Sequence, residues 1–144
     1  MYLRLLIIIF LGITMYGCAG SPARIASMSS EELHSVDESQ LCSTYFYKSN
    51  ENLSNEISRR KLITESEWNS VKNEQITLGM KRCSVLAALG RPHMAMRKPI
   101  GEQKSIEALV FTVESGSVYP AYSKQRTTTV YLVDGLVTKI DKNW

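Results

Sequence analysis

The sequence predicts an α+β fold, with N-terminal helices followed by a short helix and a three-stranded antiparallel sheet. Three observations carry this expectation. Residues 31–75 contain repeated helix-start signals of the Ser/Thr-x-x-Glu kind. Beyond Pro92 the pattern changes to strand formers, ending in two apolar runs joined by Asp134-Gly135. Between them lies Leu78-Gly79-Met80-Lys81-Arg82-Cys83-Ser84-Val85-Leu86-Ala87-Ala88-Leu89-Gly90-Arg91-Pro92, a glycine-led start, a short helix and a glycine-then-proline stop. It reads as the joint between two halves of one domain, and a small sheet with helices on one face is the layered solution.

The 144 residues suffice for one compact domain after removal of a leader. A hydrophobic fraction of 44% supports a packed core rather than a disordered chain. The net charge of +3 comes from scattered basic residues, which leaves no electrostatic footprint for nucleic acid. The expected division is a leader over residues 1–17, a flexible tether over 18–30 and a single domain over 31–144. Within that domain, residues 31–75 are the helical part and 76–144 the short helix plus sheet.

Met1-Tyr2-Leu3-Arg4 carries one positive charge, and residues 5–13 are almost wholly apolar. This describes a secretory signal, since the apolar run is shorter than the roughly 20 residues a spanning helix needs. Met15-Tyr16-Gly17-Cys18 resembles the lipobox of bacterial lipoproteins, with Met and Tyr where Leu and a small residue are usual. The alternative is an ordinary signal peptide with a cysteine near its end. The lipobox resemblance implies that Cys18 becomes the acylated first mature residue. Each buried methylene contributes about 0.8 kcal/mol, so two or three acyl chains hold a domain firmly on a bilayer. Ala19, rather than Asp, follows the cysteine. In enteric-type bacteria that implies an outer-membrane anchor with the domain facing the periplasm.

Residues 20–30 are rich in Ser, Ala, Met and Pro without periodicity, which suits the tether. Ser29 with Glu32 and Ser35 with Glu38 both have capping-box spacing, and one of them should start a helix running to about Tyr47. Leu41, Cys42, Tyr45 and Phe46 are its expected inward residues. Ser49-Asn50 breaks the chain, and Leu53 and Ile57 define the next helical face. Glu56 precedes Arg60 by four, the better orientation for an ion pair. The basic end Arg59-Arg60-Lys61 suits the negative end of the helix dipole. It reads either as a solvated helix end or as a contact for anionic lipid headgroups. Thr64-Glu65-Ser66-Glu67 is a capping box, with Ile63 and Trp68 placed for a hydrophobic staple. Trp68 and Val71 then share a core-facing side. In the joint helix Val85, Leu86 and Leu89 fall on one side, Gly90 suits a left-handed position after the helix, and Pro92 prevents its resumption.

Residues 108–113, 127–133 and 136–140 are the expected strands, and residues 94–98 are a candidate short addition. Asp134-Gly135 between apolar runs signals a hairpin. A two-residue turn pairs Val133 with Leu136. A three-residue turn with a glycine bulge pairs Leu132 with Leu136 and gathers Val130, Leu132 and Leu136 on one face. The second is preferred, because it leaves Lys139 on the opposite face with Tyr131 and Val137. Residues 115–126 read as a long loop.

Gly79-Met80, then Val85, then Leu89-Gly90-x-Pro92, then strands ending in Tyr131-Leu132-Val133-Asp134-Gly135-Leu136-Val137, resemble the SmpA/OmlA (BamE-like) family of small outer-membrane lipoproteins. The resemblance spans about residues 76–140. It implies a pair of helices on a three-stranded antiparallel sheet, closed by a hairpin. The best-known member is an accessory subunit of the machine that inserts β-barrels into the outer membrane. Lys81 stands where the family has a capping Thr, and the helical stretch over residues 37–73 is longer than in the best-known members.

With Cys18 in the lipid, Cys42 and Cys83 remain, and an oxidising periplasm favours one disulfide between them. A loop of about 40 residues makes such a bridge worth roughly 3–4 kcal/mol on the chain-entropy model. The alternative is two buried thiols that never meet. His34 and His93 lack paired metal-ligand spacing, and no cofactor, phosphate-loop or nucleophile-elbow motif is present. Glu107 and Glu114 form no evident acid/base pair, and His93 reads as a solvated loop imidazole. Tyr119, Tyr122, Tyr131 and Trp144 suit either a contact surface or strand and loop packing. The expectation is therefore a non-catalytic lipoprotein, held to the membrane at Cys18, whose domain braces an envelope protein through the joint helix and hairpin edge. It needs no metal and no nucleic acid. The second expectation is a periplasm-facing binding or inhibitory module acting through the loop over residues 115–126.

Overall fold

The computed structural model describes residues 20–100, 104–114 and 125–143. The leader, Cys18, most of the long loop with Tyr119 and Tyr122, and Trp144 lie outside the described residues. The helices are α1 (Pro22–Ala26), α2 (Ser30–Leu33), α3 (Glu38–Tyr47), α4 (Glu51–Arg59), α5 (Glu65–Lys72) and α6 (Arg82–Leu89). The strands are β1 (Met94–Ile100), β2 (Lys104–Glu114), β3 (Gln125–Val133) and β4 (Leu136–Asn143). The fold class is α+β, and the antiparallel sheet runs in sequence order, β1-β2-β3-β4. It has four strands rather than three. The extra one, β1, lacks apolar alternation because it is an edge strand exposed at every residue, with Pro99 near its end.

The expected tether is structured from Gly20 onward. Ser21 caps α1 and Pro22 opens it, while Ile25 is buried against the core. One buried isoleucine in a polar stretch has no periodicity to betray it. Ser29 and Glu32 form a capping box, but it starts only the short α2. The longer α3 begins at Asp37, whose carboxylate accepts from the Ser39 and Gln40 amides. Asn50 caps α4 by accepting from the Leu53 amide and donates to the Ala26 carbonyl at 2.8 Å, tying α1 to the next turn.

In α3, Leu41 and Cys42 face inward as expected, but Thr44 is buried where Phe46 was expected, and Phe46 lies on the surface. Tyr45 packs edge-on against Trp68, with ring centres 5.3 Å apart. Ile63, Val71 and Trp68 join the same cluster. α6 is buried nearly all round, from Cys83 to Ala88. One apolar stripe was too modest an expectation, because α3, α5 and the sheet enclose it from different sides.

The inner sheet face supplies Leu109, Phe111, Val130, Leu132 and Val137 to the core. The hairpin has the two-residue turn, with Val133 opposite Leu136. Asp134 and Gly135 both take positive φ, 51° and 79°, as a twisted two-residue turn requires. The preferred three-residue register is thus corrected. Val137, not Leu136, faces the core, and Leu136 is 47% exposed. A bulge beside Tyr131/Leu132 adds Thr138 to β4 and returns Ile140 opposite Val130 and Lys139 opposite Tyr131.

Candidate functional site

The site is built around α6. Cys83 in its first turn is joined by a disulfide to Cys42 in the middle of α3, with Cα atoms 5.3 Å apart. Ser39 meets Arg82, Cys42 meets Cys83, Phe46 meets Gly90 and Tyr47 meets Arg91, so the two helices run side by side in the same direction. Gly90 sets how closely they approach at the far end. Its φ of 80° and ψ of −152° make it extended rather than the left-handed helical conformation expected. That region is open to glycine alone, and a Cβ there would lie 2.7 Å from the Phe46 ring.

The start of α6 carries no side-chain cap at Lys81. A glutamate from the neighbouring helix supplies the contact instead. Glu67 Oε2 accepts from the Thr64 amide at 2.8 Å, closing its own capping box, and Oε1 accepts from the Lys81 amide at 2.7 Å. Burial pushes its carboxyl up, but Thr64 and the Lys81 amide, with the nearby Ser84 hydroxyl, together hold it below the usual range. The buried Ser84 hydroxyl lies beside this carboxylate without a hydrogen bond of good geometry. Lys81 Nζ reaches the Lys61 carbonyl at 2.8 Å, which ties the start of α6 to the end of α4.

The Gly79-Met80 start and the Asp134-Gly135 turn, far apart in sequence, touch. The Gly79 amide donates to the Val137 carbonyl, the Val137 amide to the Met80 carbonyl and the Arg82 amide to the Gly135 carbonyl, at 2.8–2.9 Å. Lys81 and Leu136 form a bridge, so this segment covers the hairpin end of the β4 edge. Met80 is buried, Gly79 takes a φ of 82°, and Leu89 packs at the core margin. These motif residues are therefore one piece of architecture.

Sequence reasoning missed Arg82. Its guanidinium bonds both Glu107 carboxylate oxygens, at 2.7 and 3.0 Å, and donates to Ser39 Oγ at 2.6 Å, locking α6 to β2 and α3. No short-range signal marks a pair 25 residues apart. Glu56 is a second node, 3% exposed. It accepts from Arg59 at 2.7 Å and Arg60 at 2.6 Å, and His34 lies 3.4 Å away. Hydrogen bonds from Arg59 hold its carboxyl down at about 2, with Arg60 adding to this against the opposing effect of burial. Arg60 also donates to the carbonyls of Leu33, His34 and Val36 at the end of α2. The expected Glu56–Arg60 pair thus forms, and Arg59 joins it, so two of the three charges at the end of α4 serve a buried carboxylate.

Two clefts flank α6. One of about 410 Å³ opens between α3 and the start of β1. The other, about 490 Å³, lies among Phe46, Leu89 and Phe111. Arg91 and His93 border both. Among the described residues, no group of three or more His, Cys, Asp or Glu could hold a metal ion, and no helix is long and apolar enough to cross a membrane. The chain matches no family model, no curated protein and no solved structure.

Proposed function

We propose that the protein is a non-catalytic bacterial lipoprotein, anchored to the outer membrane through Cys18, whose domain holds another envelope protein at the periplasmic face. The observation that carries this reading is the Cys42–Cys83 disulfide, in a chain whose residues 1–17 read as an export leader. Such a bridge persists in an oxidising compartment. The engaged carboxylates support a structural rather than catalytic role, since Glu67 and Glu107 beside α6 and Glu56 in α4 are each held by arginines or backbone amides. Anchoring confines the domain to two dimensions and raises its effective concentration near membrane partners. An accessory part in outer-membrane protein assembly follows from the motif resemblance.

The outer face of the sheet favours a second reading, a periplasm-facing binding module independent of barrel assembly. There Met94, Met96, Ile100, Ile106 and Leu136 are all exposed. Cross-linked capture of the intact protein from native envelopes, with Cys18→Ser as control, tests both. Recovery of barrel-assembly subunits that depends on Cys18 is the result expected of the first. Other partners, recovered equally by the control, select the second. Mature protein lacking the acyl mass at Cys18 overturns the anchor.

A further inference from the structure

We propose that β1 is a docking edge for an extended peptide of a partner protein, whose free C-terminal carboxylate seats beside Arg91 and His93. The proposal deepens the reading of the domain as a protein-holding module and rests on it.

The two edges of the sheet are treated differently. At the β4 edge the Gly79–Arg82 segment takes up backbone groups of Gly135 and Val137. At the β1 edge no described residue pairs with the side away from β2, and all seven residues are exposed. An exposed edge presents a row of backbone donors and acceptors that a further strand can extend.

Charge selects the occupant. Between residues 91 and 100 stand Arg91, His93, Arg97 and Lys98, with no acidic residue. Among the described residues, Arg97 of these four has a side-chain partner, Ser105 Oγ at 3.1 Å. Two copies of this chain pairing antiparallel through β1 would set arginine and lysine against each other, which disfavours a homodimer at this edge.

Charge also selects the direction. β1 starts beside the cleft that Arg91 and His93 border. A strand added antiparallel ends there with its carboxyl terminus, whereas a parallel strand would bring its cationic amino terminus to the same basic residues. Tyr47 Oη accepts from the Arg91 amide, at 3.4 Å, and keeps its own proton to donate. Alternate side chains of the peptide would lie next to Met94 and Met96 on the outer face, where thioethers adapt to varied shapes.

The test uses full-length protein in detergent and fluorescein-labelled octapeptides, degenerate over their last six positions, read by fluorescence polarisation. Each mixture is made as the free acid, as the C-terminal amide and with alternate amides N-methylated. Saturable binding of the free acid, with the amide about tenfold weaker because a charge-assisted contact is lost, is expected. Arg91→Ala should bring acid and amide within about twofold of each other, at unchanged melting temperature. His93→Gln should narrow the gap partly, and N-methylation should abolish binding. Absence of saturable binding, equal binding of acid and amide, or binding that survives N-methylation would each overturn the proposal. So would occupation of the β1 edge by the chain's own remaining residues or by a second copy, seen in hydrogen exchange without peptide as protection of the β1 amides that point away from β2. Partner capture that depends on Cys18 without peptide binding would sink this surface and leave the anchored-protein reading standing. Peptide binding by protein that carries no lipid would do the reverse.

Discussion

The helical half and the sheet half of this domain are held by different means. The helices are short, and α1 and α2 have five and four residues. Helices of that length do not persist alone in water. They are fastened from outside themselves by the disulfide, by the Arg60 fan onto three carbonyls and by the Glu67 contact to Lys81. The sheet needs no such fastening, because long antiparallel ladders pair it strand by strand. Its inner face is covered, and on its outer face Met94, Met96, Ile100, Ile106 and Leu136 are exposed. Stability is thus concentrated in a few point contacts on one side and spread along a ladder on the other, so single substitutions should act very unequally.

The largest effect should come from the disulfide. Replacing Cys42 and Cys83 together by alanine should lower unfolding free energy by about 3–4 kcal/mol, read by urea denaturation. Hydrogen exchange should rise in α3 and α6 before it rises in β2 and β3. Equal loosening of both halves would break the contrast.

Glu56→Ala should cost about 2–3 kcal/mol, because it removes the charge-assisted hydrogen bonds from Arg59 and Arg60, while Arg60 keeps its three carbonyl acceptors. The same carboxylate sets an acid limb. Its folded value of about 2 lies below the ordinary 4.5, so the unfolded chain binds the proton more readily. The stability it contributes is present above about pH 4.5 and is lost as pH falls towards 2. Urea midpoints across that window should flatten in the Glu56→Ala protein.

Two glycines sharpen the comparison next. Gly90→Ala should cost about 2–3 kcal/mol, since an extended positive-φ conformation and the Phe46 ring both resist a methyl group. Gly79→Ala, with a similar φ but open space around it, should cost only about 1 kcal/mol. Equal losses in thermal melts would show that the close approach of α3 and α6 is not what Gly90 provides.

Glu67→Ala should cost about 1–2 kcal/mol by freeing the Thr64 and Lys81 amides. Ser84→Ala should be neutral or slightly stabilising, since the buried hydroxyl makes no hydrogen bond. The smallest effect belongs to the exposed methionines on the outer face of the sheet. Met96→Thr should change stability by less than about 0.5 kcal/mol.

Features set by adjacent residues were legible in the amino-acid string. The Thr64–Glu67 box, the break at Asn50, the end of α3 at Tyr47, the glycine-proline stop and the Asp134-Gly135 turn each depend on a few neighbours. Local backbone preferences act there without help from the rest of the chain. Tertiary structure decided what those neighbours could not. The burial of Ile25, the enclosure of α6 and the hairpin register turn on which surfaces meet, and one residue of slip exchanges Val137 for Leu136 in the core. Arg82 finds Glu107, and Glu67 finds the Lys81 amide, only after helices and sheet are stacked. The free energy of those contacts comes from groups brought together across 14 and 25 residues of chain, a proximity that no local pattern encodes.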